Sequence, residues 1–195
     1  LAGKIDQAVA GEVVAGPYQN MANEIQQSGL GGQVIPRLAN GLAAIHPGDH
    51  IDTVVIAGMG GTLIADILER GQKQLAGVQR LILQPNVGEP RLRAWLQAHR
   101  YQIMAERLVK EDGHIYEIIV AEPSPVPFRY SDYELQFGPL LLEKKGPIFA
   151  EKWQDYIQRQ IAVLKQIAAA KQPPVAKMEQ LKAAIAIVKE ALADD

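Results

Sequence analysis

The chain has 195 residues, 48% of them hydrophobic and 22% charged, with 20 Lys and Arg against 22 Asp and Glu for a net charge of −2. This is the composition of an ordinary globular protein, and it excludes nucleic-acid binding by a whole-surface positive field; such a partner would have to meet a local basic patch. The lack of Cys excludes disulfides and thiolate metal sites, no apolar run approaches membrane-spanning length, and no signal peptide is visible, so a cytoplasmic location with no membrane partner is expected.

Taken in order, Leu1 to Lys4 reads as the end of a helix closing at Gly3. A strand follows over Ala8 to Val13, its small residues suited to close backbone packing, with Glu12 at its carboxyl end. Such an acid either accepts hydrogen bonds from ribose hydroxyls in an α/β nucleotide site or is a solvated strand-end carboxylate. Pro17 starts a helix to about Ser28, which Gly29 to Gly32 terminate. Gln33 to Leu38 is a short strand and Asn40-Gly41-Leu42 a turn, where Asn40 shares the sheet edge of Glu12 or serves its own turn. His46 and His50 have the spacing of helical metal ligands, but Pro47 and Gly48 between them deny the helix and make them loop residues.

Asp52 to Leu68 organises the rest of the chain. Thr53 to Ile56 is a continuous β-branched and apolar run, which predicts a strand buried on both faces of a parallel sheet. Gly58, Gly60 and Gly61 then allow a sharp turn and close approach to a ligand. Thr62 is the expected N-cap of a helix whose apolar face is Leu63, Ile64, Ile67 and Leu68. A loop at the carboxyl end of such a strand is where open α/β sheets bind ligands. A dinucleotide fingerprint is not formed: its third glycine would fall on Leu63, and the next strand ends in Leu83-Gln84-Pro85-Asn86 rather than in an acid.

Arg80 to Leu83 is a second buried strand, with Gln84-Pro85-Asn86 as a stiff exit loop whose amides could line a base-sized pocket. Glu89 to His99 is an amphipathic helix with Leu92, Trp95 and Leu96 inward. Two strands, Tyr101 to Val109 and Ile115 to Glu122, are joined through Lys110 to His114, where Asp112-Gly113 signals a hairpin. Helices alternating with strands up to a terminal antiparallel hairpin form the pattern of the class I methyltransferase sheet.

Pro123 to Pro127 is a linker. Beyond it Tyr130, Tyr133, Phe137 and Leu140 to Leu142 should pack against the sheet. Two helices follow, about Ile148 to Lys171 and Val175 to Leu192, separated by Pro173-Pro174. Met178, Leu181, Ile185, Val188 and Leu192 form a coiled-coil seam facing Trp153, Ile157, Ile161, Leu164 and Ala168, which predicts an antiparallel helical hairpin. Between residues 150 and 190 seven basic residues, among them Lys165 and Lys182, face four acidic ones. That excess is either an RNA-backbone footprint or a solvated helix face.

The Ala8-Val-Ala-Gly-Glu-Val-Val, Asn40-Gly41-Leu42, Asp52 to Ile64, Leu81-Ile-Leu-Gln-Pro-Asn and Glu111-Asp-Gly-His-Ile-Tyr-Glu-Ile-Ile stretches together resemble the TrmK family. Its members are bacterial S-adenosylmethionine-dependent methyltransferases acting on N1 of adenine 22 in tRNA. The resemblance implies an α/β fold, a Rossmann-like methyltransferase domain over residues 1–127 and a C-terminal coiled-coil hairpin domain over 128–195. It places the cofactor on Glu12, Val13, Asn40, Gly41, Ala57, Gly58 and Met59. It places the tRNA on Gly60, Gly61, Gln84, Pro85 and Asn86; the charge excess of the hairpin makes Lys165 and Lys182 the candidate contacts to the same substrate. No metal is implied, and no catalytic acid or base is named. A monomer or weak homo-oligomer is expected.

Family members also carry, ahead of these residues, a first strand and an acidic glycine-containing loop that cradles the methionine part of the cofactor. In the strand order 3-2-1-4-5-7-6 that strand lies between Ala8 to Val13 and Thr53 to Ala57. The expectation is therefore an N-terminally shortened form that binds the cofactor poorly. The alternatives are a noncatalytic RNA-binding or interaction module and a coiled-coil adaptor.

Overall fold

The computed structural model describes residues 5–170 and 172–193. The expected helix end at Leu1 to Lys4, and Lys171 at the close of the first long helix, lie outside them.

The N-terminal part alternates strands and helices as their residues require. Strand β1 (Ala8–Glu12) leads into helix α1 (Ala15–Gln27), then strand β2 (Val34–Leu38) and a 3-10 turn over Gly41–Ala44. β1 and β2 pair in parallel, Ala8 opposite Val34 through Glu12 opposite Leu38. Strand β3 (Thr53–Gly60), helix α2 (Gly61–Arg70), strand β4 (Arg80–Val87) and helix α3 (Glu89–Ala98) form the next units, and strands β5 (Tyr101–Glu111) and β6 (His114–Pro123) close the sheet. β3 is parallel to β4, while β6 runs antiparallel to both β4 and β5, giving the order β3-β4-β6-β5. The β5–β6 turn is two residues long, Asp112 and Gly113, both at positive φ (48° and 77°), the conformation that suits the twist of a hairpin.

The strands thus fall into a two-stranded sheet and a four-stranded sheet, equivalent to the 3-2 and 4-5-7-6 runs of the class I order. Among the described residues β1 and β3 are not paired with one another, and each presents a backbone edge.

The core lies between α2, α3 and one face of the larger sheet, where Ile64, Leu68, Leu81, Leu83, Leu92, Leu96, Ile119 and Ala121 are buried. β3 departs from the expected two-sided burial: Val54 and Ile56 are inside, but Val55 is 64% exposed. Only one face of β3 is covered by the described helices, so its β-branched run has period-2 burial. Thr62 is not the N-cap. Helix α2 starts two residues earlier than that cap implies, at Gly61, capped by Gly60 with no side-chain bond, and turns Ile64, Ala65 and Leu68 inward while Leu63 is exposed. Gln84-Pro85-Asn86 is not an exit loop, because β4 continues through it alongside Ala57 to Gly60.

Helices α4 (Asp132–Phe137), α5 (Pro139–Glu143), α6 (Pro147–Ala168) and α7 (Val175–Ala193) complete the chain. α4 begins with a capping box, Ser131 and Glu134 each accepting from the other's backbone N–H. α6 and α7 pack antiparallel: Phe149, Trp153 and Ile157 near the start of α6 share a cluster with Ile185, Val188 and Ala191 near the end of α7. Ala191, rather than Leu192, completes the buried seam, and Ala168 at the distal end is exposed. Phe137 and Leu141 join this second cluster, whereas Tyr130 packs on the sheet core and its hydroxyl accepts from Ile103 N at 2.9 Å.

Candidate active site

The sequence-selected residues gather at the carboxyl ends of the parallel strands. At the end of β3, Gly58 takes up positive φ (75°) and bulges out of register between Ala57 and Met59. Its freed N–H donates to Gln84 Oε1 at 2.8 Å, and Gln84 Nε2 donates to Asn86 Oδ1 at 3.1 Å. One amide side chain therefore ties the glycine turn of β3 to the last residues of β4. Asn86 is exposed and its Nδ2 group is unbonded among the described residues, so both of its N–H donors are available, and both amide oxygens retain a second lone pair.

The two strand-to-helix turns lie in backbone contact. A Cβ on Gly61 would stand 2.3 Å from Gly88 O, and Gly88 itself has φ 80°. Gly60 and Gly61 thus serve the approach of one turn to the other, which sets where Val87 and Asn86 stand. Pro85 is buried beneath them, and Met59 is 38% exposed at the rim.

The ends of β1 and β2 present a different donor set. Glu12 Oε1 accepts from Val13 N (2.7 Å) and Val14 N (2.8 Å), leaving Oε2 without a partner among the described residues. Val13 is 58% exposed beside it. Asn40 caps the 3-10 turn through its backbone carbonyl, which accepts from Ala43 N at 3.2 Å, while its side chain makes no capping bond. Gly41 has φ 56°, and a Cβ there would meet Ile67 Cγ2 at 2.9 Å. A Cβ on Gly11 would meet Ala44 at 2.7 Å. These two contacts seat the turn after β2 against both β1 and α2, the helix that leaves the Gly58–Gly61 turn.

Beside Asn86 opens a cavity of about 780 Å³, bounded by the β4–α3 turn, the β5–β6 turn and one side of α6. Its far wall carries Tyr156 and Arg159, and its hairpin wall His114 and Tyr116. Beneath it runs a charge network that spacing alone did not single out. Arg93, wholly buried on α3, donates to Glu106 at 2.8 Å, to Leu135 O at 2.9 Å and to Glu117. Lys152 on α6 donates at 2.6 Å to both Glu117 and Glu89.

Three carboxylates against two cations leave this network one negative charge in excess if all ionise. Burial pushes the Glu117 carboxyl above its ordinary range even though Arg93 and Lys152 pull the other way. Burial also raises Glu89, but there the attraction of Lys152 prevails and holds it below the usual range. Lys152 itself, disfavoured by burial, is held above its ordinary value by Glu117 and Glu89. One sequence signal did exist: Glu117 occupies the inward position of a strand whose next inward residues, Ile119 and Ala121, are core.

Lys165 and Lys182 stand apart from this edge, on the helical hairpin. Lys182 donates to Glu179 at 2.8 Å, and Lys165 makes no ion pair among the described residues.

The model of the family described as TrmK, tRNA (adenine(22)-N(1))-methyltransferase, matches residues 1–190. The chain is 36% identical to the tRNA (adenine(22)-N(1))-methyltransferase of Bacillus subtilis over 195 residues, covering 97% of this chain and 82% of that one. The crystal structure of the B. subtilis M1A22 tRNA methyltransferase TrmK superposes with a TM-score of 0.83, at 35% identity over 95% of this chain and 81% of the other. A Streptococcus pneumoniae protein solved in complex with S-adenosyl-L-methionine superposes with a TM-score of 0.88, at 42% identity over 97% of this chain and 83% of the other.

Proposed function

Because the chain belongs to the TrmK family of tRNA (adenine(22)-N(1))-methyltransferases, we propose that it transfers a methyl group from S-adenosyl-L-methionine to N1 of adenine 22 in tRNA. The observation that carries this reading is the Gln84 bridge between Gly58 N and Asn86, which fixes a planar, uncharged amide pair beside an open glycine turn. Adenine N1 has its own lone pair, so the reaction asks for alignment and for support of a cationic product rather than for a strong base. The unbonded N–H groups of Asn86 and the spare lone pairs of Gln84 and Asn86 suit the donor and acceptor edge of adenine. No side chain at this edge is needed as a general base. An adenine within folded tRNA reaches such a turn only once it is unstacked.

The residues of the neighbouring edge fit the adenosine portion of the cofactor. Glu12 has an unbonded oxygen for a ribose diol, Asn40 has an unbonded amide, Val13 is apolar and exposed, and Gly41 has no Cβ to stand in the way. Ala57, Gly58 and Met59 would border the cofactor, while Gly60, Gly61, Gln84, Pro85 and Asn86 would border the base. When bound, S-adenosylmethionine supplies a methyl group carried on a positively charged sulfur.

We further propose Lys165 and Lys182 as contacts to the tRNA backbone, a methyltransferase domain over residues 1–127 and a helical domain over 128–195, and a cytoplasmic monomer or weak homo-oligomer. Among the described residues no helix is long and apolar enough to cross a membrane. The test is incubation with S-adenosylmethionine and unmodified tRNA, followed by nuclease digestion and mass spectrometry. One N1-methyladenosine at position 22, lost when that nucleotide is guanosine, is the expected result; methylation elsewhere, or none, would overturn the reading.

A further inference from the structure

We infer that the cavity between the β5–β6 turn and α6 is a second RNA subsite, which stacks an unpaired base next to the target adenine between aromatic side chains. This inference rests on the reading above, because the cavity begins at Asn86. Its occupant is then continuous with whatever Asn86 holds.

The walls are aromatic and come from different parts of the chain. On α6, Tyr156 leans on Trp153 with ring centroids 5.6 Å apart. On the hairpin, His114 and Tyr116 lie edge to face at 6.4 Å. Val87, 68% exposed, adds an apolar rim next to Asn86. The volume, about 780 Å³, lies within the range of about 300 to 1,000 Å³ typical of small-molecule sites and is ample for a nucleoside.

Electrostatics narrows the ligand further. Lys152 lines the cavity, but Glu89 and Glu117 use its charge. Of the lining cations only Arg159 is without an ion pair among the described residues, and Asp155, also at the wall, offsets it. The site therefore does not follow a run of phosphates. It offers flat rings, one guanidinium and an apolar rim, a combination that receives an unstacked base with one adjoining phosphate. A nucleotide beside a target taken out of its stack has just lost a stacking partner, and Tyr116 and Tyr156 would replace it.

Fluorescence anisotropy with full-length tRNA, intact or abasic at each nucleotide flanking adenine 22, tests this directly. With the wild-type protein, one abasic tRNA should bind about tenfold more weakly, the effect of losing one stacked base. Tyr156→Leu should weaken intact tRNA to a similar extent and show little further loss with the abasic tRNA, the coupling of two groups in contact. Tyr156→Phe should recover most of the affinity lost in Tyr156→Leu, and Tyr116→Leu repeats the cycle from the opposite wall.

Additive losses, or no loss, in variants that melt like the wild type would overturn the subsite even if adenine 22 is methylated normally. Coupled losses without methylation of adenine 22 would instead retain the RNA subsite and overturn the reaction assigned above. If neither coupling nor methylation is seen, both fall.

Discussion

Gln84 shows how a single amide can tie together the strand-end turn proposed to receive the base. Its oxygen captures the N–H that the Gly58 bulge releases, and its nitrogen orients Asn86. Gly61 and Glu12 lend themselves to separate tests at this scale. Gly61→Ala would push a methyl group into the Gly88 carbonyl, 2.3 Å from the new Cβ, and backbone on both sides leaves little room to yield. The expected cost is about 2 kcal/mol or more, seen as a lower urea midpoint. Glu12→Gln should weaken S-adenosylmethionine binding about tenfold or more by calorimetry, because a hydrogen bond to a charged group is worth roughly 1.5 to 3 kcal/mol. The residue types at these points were legible in the sequence, since glycine and strand-end amides mark a ligand turn. Their mutual bonding was not: the bulge at Gly58 decides which amide Gln84 meets, and bulges leave no periodic trace.

At the scale of elements, α6 is fastened to α3 and β6 by Lys152, which spans Glu89 and Glu117. Glu89 directly follows the Val87-Gly88 turn, so the C-terminal helices are tied to the start of α3, just after the turn that leaves Asn86. Lys152→Met would leave the buried Glu117 without one of its two cations, and a loss of about 3 to 5 kcal/mol is expected in chemical denaturation. The pH dependence has a definite sign. Glu89 is held below its ordinary 4.5, so its contribution is full above that value and disappears as pH falls through its lowered folded-state pKa. Lys152 is held above 10.5, so its contribution is full below 10.5 and disappears as pH rises past it. Glu117, raised by burial, works in the opposite sense, disfavouring the folded state once it must ionise. Glu89→Gln should therefore lower the urea midpoint at pH 7 and bring the pH 7 and pH 3 midpoints closer together than in the wild type. The hairpin at Asp112-Gly113 and the antiparallel α6–α7 pair were readable from turn chemistry and apolar spacing. Arg93 was not, because a charged residue among Leu92, Trp95 and Leu96 reads as a surface position until its partners on β5 and β6 are known.

Across the whole molecule, two groups of parallel strands present their carboxyl ends at one edge, proposed above as a cofactor side and a base side, and the helical hairpin stands beyond the aromatic cavity. The strand order was legible from the succession of elements, and the family resemblance sharpened it. The one-sided burial of β3 was not, because Val54, Val55 and Ile56 are equally apolar and only the neighbouring layers decide which of them is covered. The net charge of −2 means that tRNA affinity should depend on few cations. Lys165→Ala should lower the slope of log affinity against log salt by about 1, and Lys182→Ala by less, since Glu179 already neutralises it. The most direct test of the account is single-turnover methyl transfer by Gln84→Leu, with its affinity for S-adenosylmethionine measured on the same preparation. Transfer at least a hundredfold slower with cofactor affinity within about threefold of wild type is the predicted result, a loss of about 2.7 kcal/mol or more confined to the transition state. Transfer at the wild-type rate, or a matching collapse of cofactor affinity, would contradict the assignment of Gln84 and Asn86 to the target base.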